Sequence, residues 1–169
     1  MKQTIVILLL ISALSACQKS EVVSQYTGNE VTYALQQSST YDVSGTITFR
    51  ERKDGQIYAV IQMSGVSGSS KHPVHLHLGD ITVQGADVAL LMEPVDGTSG
   101  HSETIFSKLS DESVIDYQKL TKLNACIKIH LSSTGAGKDV VLAAGNIGTA
   151  VTAANPGGRT TGVGLCKSE

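Results

Sequence analysis

The sequence predicts an all-β fold, a sandwich or barrel of seven or eight strands. Apolar residues alternate with polar ones at a period of two through most of the chain, as in Val31, Tyr33 and Leu35 against Thr32, Ala34 and Gln36. Clusters of Gly, Ser, Asp and Pro separate these runs at short intervals. There is no strand–helix alternation of the kind that builds parallel sheets. Aromatic residues make up 4% and tryptophan is absent, so the core must be built from Val, Ile, Leu and Ala.

Taken in order, the chain begins with a basic Lys2 and an unbroken apolar run from Ile5 to Ile11. That run has the anatomy of a secretory signal and is too short to span a bilayer. Leu14-Ser15-Ala16-Cys17 follows and resembles the lipobox of bacterial lipoproteins, in which the cysteine becomes the lipidated first residue. The expectation is a signal peptide over residues 1–16 and a chain held by lipid at Cys17 on the periplasmic side of a bacterial envelope membrane. Without residues 1–16 the chain keeps 12 basic and 15 acidic residues, a formal charge of −3. No basic patch recommends a nucleic-acid partner. Residues 17–29 are polar and aperiodic and read as a tether, leaving residues 30–169 as one domain.

Val43, Gly45, Ile47 and Phe49 share one parity, as do Ile57, Ala59, Ile61 and Met63, and Asp54-Gly55 between them is a hairpin signal. Gly65 to Lys71 is a Gly/Ser loop. Val88 to Met92 is an apolar run, and Thr104 to Phe106 a short strand. Ser110 to Leu123 is ambiguous between a short helix and a loop. Ala125 to Leu131 and Asp139 to Ile147 are strands, and the Gly/Thr-rich stretch Ala153 to Gly164 is irregular. Cys126 and Cys166 remain once Cys17 carries lipid. In an oxidising compartment they form an even pair, either as a disulfide or as two buried thiols. Closing that loop of about 40 residues stabilises by roughly 3–4 kcal/mol in the chain-entropy account.

The chemistry concentrates in His72-Pro73-Val74-His75-Leu76-His77-Leu78-Gly79-Asp80, which holds three of the five histidines. On a strand, residues i and i+2 share a face, so His75 and His77 present two imidazoles together. Val74, Leu76 and Leu78 take the other face, and His72 points away from the pair. Ala125 to Leu131 repeats the pattern, with Ile127, Ile129 and Leu131 on one face and Lys128 and His130 on the other. His75, His77 and His130 can therefore meet on an outer, solvent-facing wall as ligands of a transition metal. His101, just past Gly100, is the remaining candidate for a fourth imidazole. Asp80 and Asp87 are turn or surface residues, with Asp80 also able to orient a ligating imidazole from behind. No nucleophile elbow or phosphate loop is present.

From Glu30 to Gly148 the chain resembles the copper/zinc superoxide dismutase family, whose fold is a Greek-key β-barrel of eight antiparallel strands. The likeness rests on Gly45-Thr46-Ile47-Thr48-Phe49, Met63-Ser64-Gly65-Val66, and His72-Pro73-Val74-His75-Leu76-His77 with Gly79-Asp80. It continues through Ile127-Lys128-Ile129-His130 and Leu142-Ala143-Ala144-Gly145-Asn146-Ile147-Gly148. The resemblance implies that His75, His77 and His130 bind copper, that His72 is structural, and that His101 bridges copper and zinc. It also implies superoxide as the substrate, converted to oxygen and hydrogen peroxide.

The departures are specific. No further histidines are left to build the family's zinc loop, so zinc is not expected. Val141 stands where the family has the arginine that guides superoxide; Lys138 is only nearby and Arg159 is the one arginine downstream. Ala144 replaces the barrel cysteine. These changes resemble copper-only members, or members that kept the barrel and lost turnover. Two other classes follow: a non-enzymatic envelope protein that binds copper ion, and a CHRD-like domain, which His75 to Leu91 also resembles.

Overall fold

The computed structural model describes residues 24–83 and 85–152. Residues 1–16, Cys17 and Cys166 lie outside the described residues, and so do the expected signal peptide, lipid anchor and Cys126–Cys166 pairing.

Eight antiparallel strands form one nearly closed, barrel-shaped sheet: β1 (Tyr26–Gln37), β2 (Ser44–Arg52), β3 (Ile57–Ser64), β4 (Lys71–Leu78), β5 (Val88–Asp96), β6 (His101–Phe106), β7 (Asn124–His130) and β8 (Val141–Gly148). The spatial order is β5-β4-β7-β8-β1-β2-β3-β6. With β5 and β6 closing the ring, strands β3 to β6 lie in the order 3-6-5-4, a Greek key. The all-β barrel expected from the sequence is therefore the fold.

Alternation explains the interior. Ile47 and Phe49 of β2 and Ile57, Ala59, Ile61 and Met63 of β3 are buried, and they meet Val74 and Leu76 of β4 and Ile127 and Ile129 of β7. At about 25 cal/mol per Å² of apolar surface removed from water, each large aliphatic side chain adds roughly 1.5–3 kcal/mol. The β2–β3 turn falls at Asp54-Gly55, where Gly55 has φ +81° and Asp54 Oδ1 accepts from Gln56 N at 3.1 Å.

Two seams close the ring by different means. β1 meets β8 over only two pairs, Gln36↔Ala144 and Gln37↔Ala143. Gly145 permits that approach, since a Cβ there would stand 2.1 Å from the Ala34 carbonyl oxygen. At the β5/β6 seam hydroxyls bridge the edges: Ser102 Oγ donates to the Glu93 carbonyl (2.6 Å) and Thr104 Oγ1 accepts from Glu93 N (3.0 Å).

Several expectations are corrected. The tether ends earlier than residue 29, because Tyr26–Asn29 already belong to β1; a register shift between Tyr26 and Glu30, with Gly28 at φ +100°, disguises the strand as loop sequence. The last strand starts at Val141, and Asp139 ends a short 3-10 turn, Gly135–Asp139. The ambiguous region holds a single short helix, α1 (Tyr117–Leu120), capped by Asp116, whose side chain accepts from Lys119 N. Leu78, expected on the buried face, is 47% exposed; it is the last residue of β4, at the end of the ladder.

Candidate metal centre

β4 lies between β5 and β7, in the register Val74↔Ile129, His75↔Lys128, Leu76↔Ile127 and His77↔Cys126. Val74 and Leu76 enter the barrel, so His75 and His77 leave its outer face, and His130 leaves the same face of β7. The three rings meet: His75 and His130 centroids are 4.6 Å apart and His75 and His77 centroids 5.7 Å. One ring nitrogen from each of the three lies within 4.8 Å of the others. Three nitrogens bound evenly to one ion at about 2.0–2.1 Å stand roughly 3.6 Å apart, so the rings need to draw together by no more than about an ångström. The group could hold a metal ion.

The expected wall was open to solvent, and the structure corrects this. His77 is fully buried and His130 nearly so, while His75 is half-buried at the rim. Residues from the β4–β5 connection fold back over the outer face. Ile81 is buried there with Cys126, Val141 and Ala144 in a second apolar cluster outside the barrel. Asn146 fastens this cover: its side-chain oxygen accepts from Ile81 N (2.9 Å) and its amide donates to the Ala150 carbonyl (3.0 Å).

The cover also orients the rings. His77 Nδ1–H donates to the carbonyls of Ala86 (3.0 Å) and Asp87 (3.2 Å). His130 Nδ1–H donates to the Lys138 carbonyl at 2.8 Å. A carbonyl can only accept, so both imidazoles carry their proton on Nδ1 and keep the lone pair on Nε2. His75 differs, since its Nδ1 is buried without a hydrogen-bond partner. Burial pushes the His75 pKa down to about 4, helped by the neighbouring His130 and His77. Burial also lowers His77 and His130. All three are neutral near pH 7, the form that binds metal.

The other sequence candidates fall elsewhere. His101 does not join the group: on β6 its Nε2 pairs with Glu103 (2.9 Å) and its Nδ1 lies 3.3 Å from Gln62 Oε1. His72 turns away from the pair, as its parity predicts, and its Nδ1–H donates to the Leu131 carbonyl at 3.1 Å. Asp80 orients no imidazole; its carboxylate accepts from Thr82 N at 2.7 Å and caps a turn. Val141 is buried in the outer cluster, so no guanidinium stands at that position.

Sequence reasoning missed four contributors. The carbonyls of Ala86, Asp87 and Lys138 leave no mark in side-chain identity. Asn146, a polar residue inside an apolar strand, was a readable signal of a buried hydrogen-bonding role.

Fold and site together define an all-β barrel with a covered three-histidine group on its outer face, able to hold one metal ion. No protein-family model, curated protein or solved structure matches the chain.

Proposed function

We propose that this protein is a copper-binding barrel of the superoxide dismutase kind, carried on an envelope lipoprotein, and that it dismutates superoxide at a slow rate. The observation that carries the metal reading is the buried, unpartnered Nδ1 of His75 beside two imidazoles whose proton positions are already fixed. Leaving a buried polar atom unsatisfied costs about 1–3 kcal/mol, and a metal ion relieves that cost. The donor set would be His75 Nδ1, His77 Nε2 and His130 Nε2. Three neutral imidazoles suit copper, zinc, iron and nickel; the ordered motifs shared with the dismutase family favour copper.

When bound, copper supplies one-electron cycling between its two common oxidation states. The chain supplies the rest: Ala86, Asp87 and Lys138 hold two rings in one tautomer, the outer cluster excludes water from behind, and half-buried His75 marks the side open to a small anion. Electrostatic steering is worth about 10–1,000-fold in association rate, and Val141 provides none of it. That substitution supports a second reading, in which the site binds copper without turnover.

The test is to load the lipid-free chain with copper, measure stoichiometry, and record electron spin resonance and superoxide decay. One copper per chain, nitrogen hyperfine structure lost in His75→Ala, and decay faster than free copper ion are expected. Bound copper with no excess decay selects the second reading; no bound copper overturns both.

A further inference from the structure

His75, the half-buried member of the metal group, lines a cavity of about 290 Å³ on the outer face, and the β4–β5 ladder is irregular beside it. His72 pairs with Val95 and Val74 with Met92, so Pro73 alone faces both Glu93 and Pro94, a bulge. Neither proline has an N–H to give the ladder. Lys71, Pro73 and His75 alternate along β4 and so leave its outer face together. Leu91 stands directly opposite His75 and is 56% exposed. Pro94 and Ser133 also line the cavity.

The polar side chains of this lining can all donate hydrogen bonds. Lys71 carries three N–H groups, of which Asp96 engages one at 2.8 Å. Ser133 offers a hydroxyl. His75 supplies the third donor. Among the described residues no hydrogen bond fixes either nitrogen of its ring, and Nδ1 is buried. A neutral imidazole carries one proton, so a metal ion on Nδ1 leaves that proton on Nε2, whose N–H points away from the ion. Among the described residues no carboxylate lines the cavity. Asp96 offsets the Lys71 charge, so an anion here is held by short-range donors rather than by a long-range field. The remaining walls, Pro73, Leu91 and Pro94, are apolar. Apolar walls with a few convergent polar groups are the usual form of a small-molecule site, and a diatomic anion would fill little of this one.

We propose that this cavity binds a small organic carboxylate with an apolar body. The carboxylate accepts from His75 Nε2–H, Lys71 and Ser133, and the body lies on Pro73, Leu91 and Pro94. The proposal rests on the copper reading above, because the metal on Nδ1 is what holds the proton on Nε2. The carboxylate stands behind His75 as seen from the ion and is not a copper ligand. Linkage makes the coupling reciprocal: copper tightens the carboxylate, and the carboxylate tightens copper by the same factor.

The test titrates benzoate into the copper-loaded and copper-free wild-type chain by calorimetry, with acetate and benzyl alcohol as probes that lack the body and the carboxylate. A dissociation constant of about 1 mM is expected for benzoate on the loaded chain, with both comparison probes at least about tenfold weaker. Lys71→Met should weaken benzoate about tenfold by removing a charge-assisted hydrogen bond. Leu91→Ser should weaken it at least about threefold by removing apolar contact. Both side chains are exposed, so both variants should fold, as circular dichroism verifies, and both should keep the wild-type copper affinity measured without benzoate. Acetate or benzyl alcohol binding as tightly as benzoate overturns the inference, and so does benzoate binding more weakly with copper than without. Broadening of the copper spin-resonance signal by benzoate labelled with magnetic oxygen would put the carboxylate on the metal and also overturn it. Copper uptake without saturable benzoate binding overturns this inference alone. A wild-type chain that takes up no copper overturns the copper reading beneath it.

Discussion

Asn146→Ala should damage both stability and metal binding, and the size of each effect follows from what Asn146 touches. The side chain is fully buried and joins two backbone groups, the Ile81 N–H at 2.9 Å and the Ala150 carbonyl at 3.0 Å. Alanine leaves both unpaired beneath the cover. At about 1–3 kcal/mol for each unsatisfied group, the loss is about 2–6 kcal/mol. That is a large part of the roughly 5–15 kcal/mol that holds a small domain together. With a urea dependence of about 2 kcal/mol per molar, the unfolding midpoint should fall by about 1–3 M at unchanged slope. The second effect comes from the segment that Asn146 fastens, because the same connection supplies the Ala86 and Asp87 carbonyls that hold His77. Losing such an outer partner of a ligand typically costs about 10–100-fold in metal affinity. Urea unfolding of the metal-stripped chain and copper competition at neutral pH measure the two effects separately. A wild-type midpoint would refute the claim that these hydrogen bonds hold the cover. A lowered midpoint with wild-type copper affinity would refute the link between cover and ligand.

Three further outcomes are expected. Alanine at His75, His77 or His130 should weaken copper binding beyond the roughly 100-fold typical of an outer partner, whereas His101→Ala, on a strand where the ring pairs with Glu103, should leave affinity unchanged; equal losses across all four would contradict the placement. Because the folded state lowers the pKa of His75 to about 4 and lowers His77 and His130 as well, an unfolded chain takes up protons below about pH 6.5 that the folded chain refuses. Apo stability should thus be complete above pH 6.5 and decline toward pH 4, and a urea midpoint equal at pH 7.5 and pH 5 would speak against buried neutral imidazoles. Gly145→Ala drives a Cβ to 2.1 Å from the Ala34 carbonyl oxygen at the two-pair β1/β8 seam, so it should cost about 1–3 kcal/mol by overpacking, read as a lower thermal midpoint.

The parts of this molecule that were legible in the sequence are those governed by a period of two. Ile47 with Phe49, and Ile57 with Ala59, Ile61 and Met63, announce their burial by parity, and so do the shared faces of His75, His77 and His130. Illegible were the places where the ladder slips. Gly28 lets the chain bulge between Tyr26 and Glu30, and what looks like tether is the start of β1. At the end of β4, Leu78 is exposed while His77 beside it lies under cover. Parity also cannot say what lies over an outward face. Lys128, Cys126 and Asn146 alternate with core residues and by pattern alone belong in water, yet all three are buried. Nor does spacing show that His101 stands on β6, away from the group; that follows from the order in which the strands pair.

The cover is what turns three histidines into a site. On a bare outer wall the same rings would be hydrated, would titrate near pH 6.5, and would have no reason to keep one tautomer. Here the connection after β4 brings Ile81 down onto Cys126, Val141 and Ala144, and the turn before β8 brings the Lys138 carbonyl to His130. Desolvation lowers the proton affinity, carbonyls assign the protons, and His75 is left with a buried lone nitrogen at the rim. Each of these effects favours a cation other than the proton. The ligands therefore come from the sheet, but their tautomers and their cover come from the two connections packed over it. Substitutions in those connections should weaken metal affinity while leaving the barrel folded.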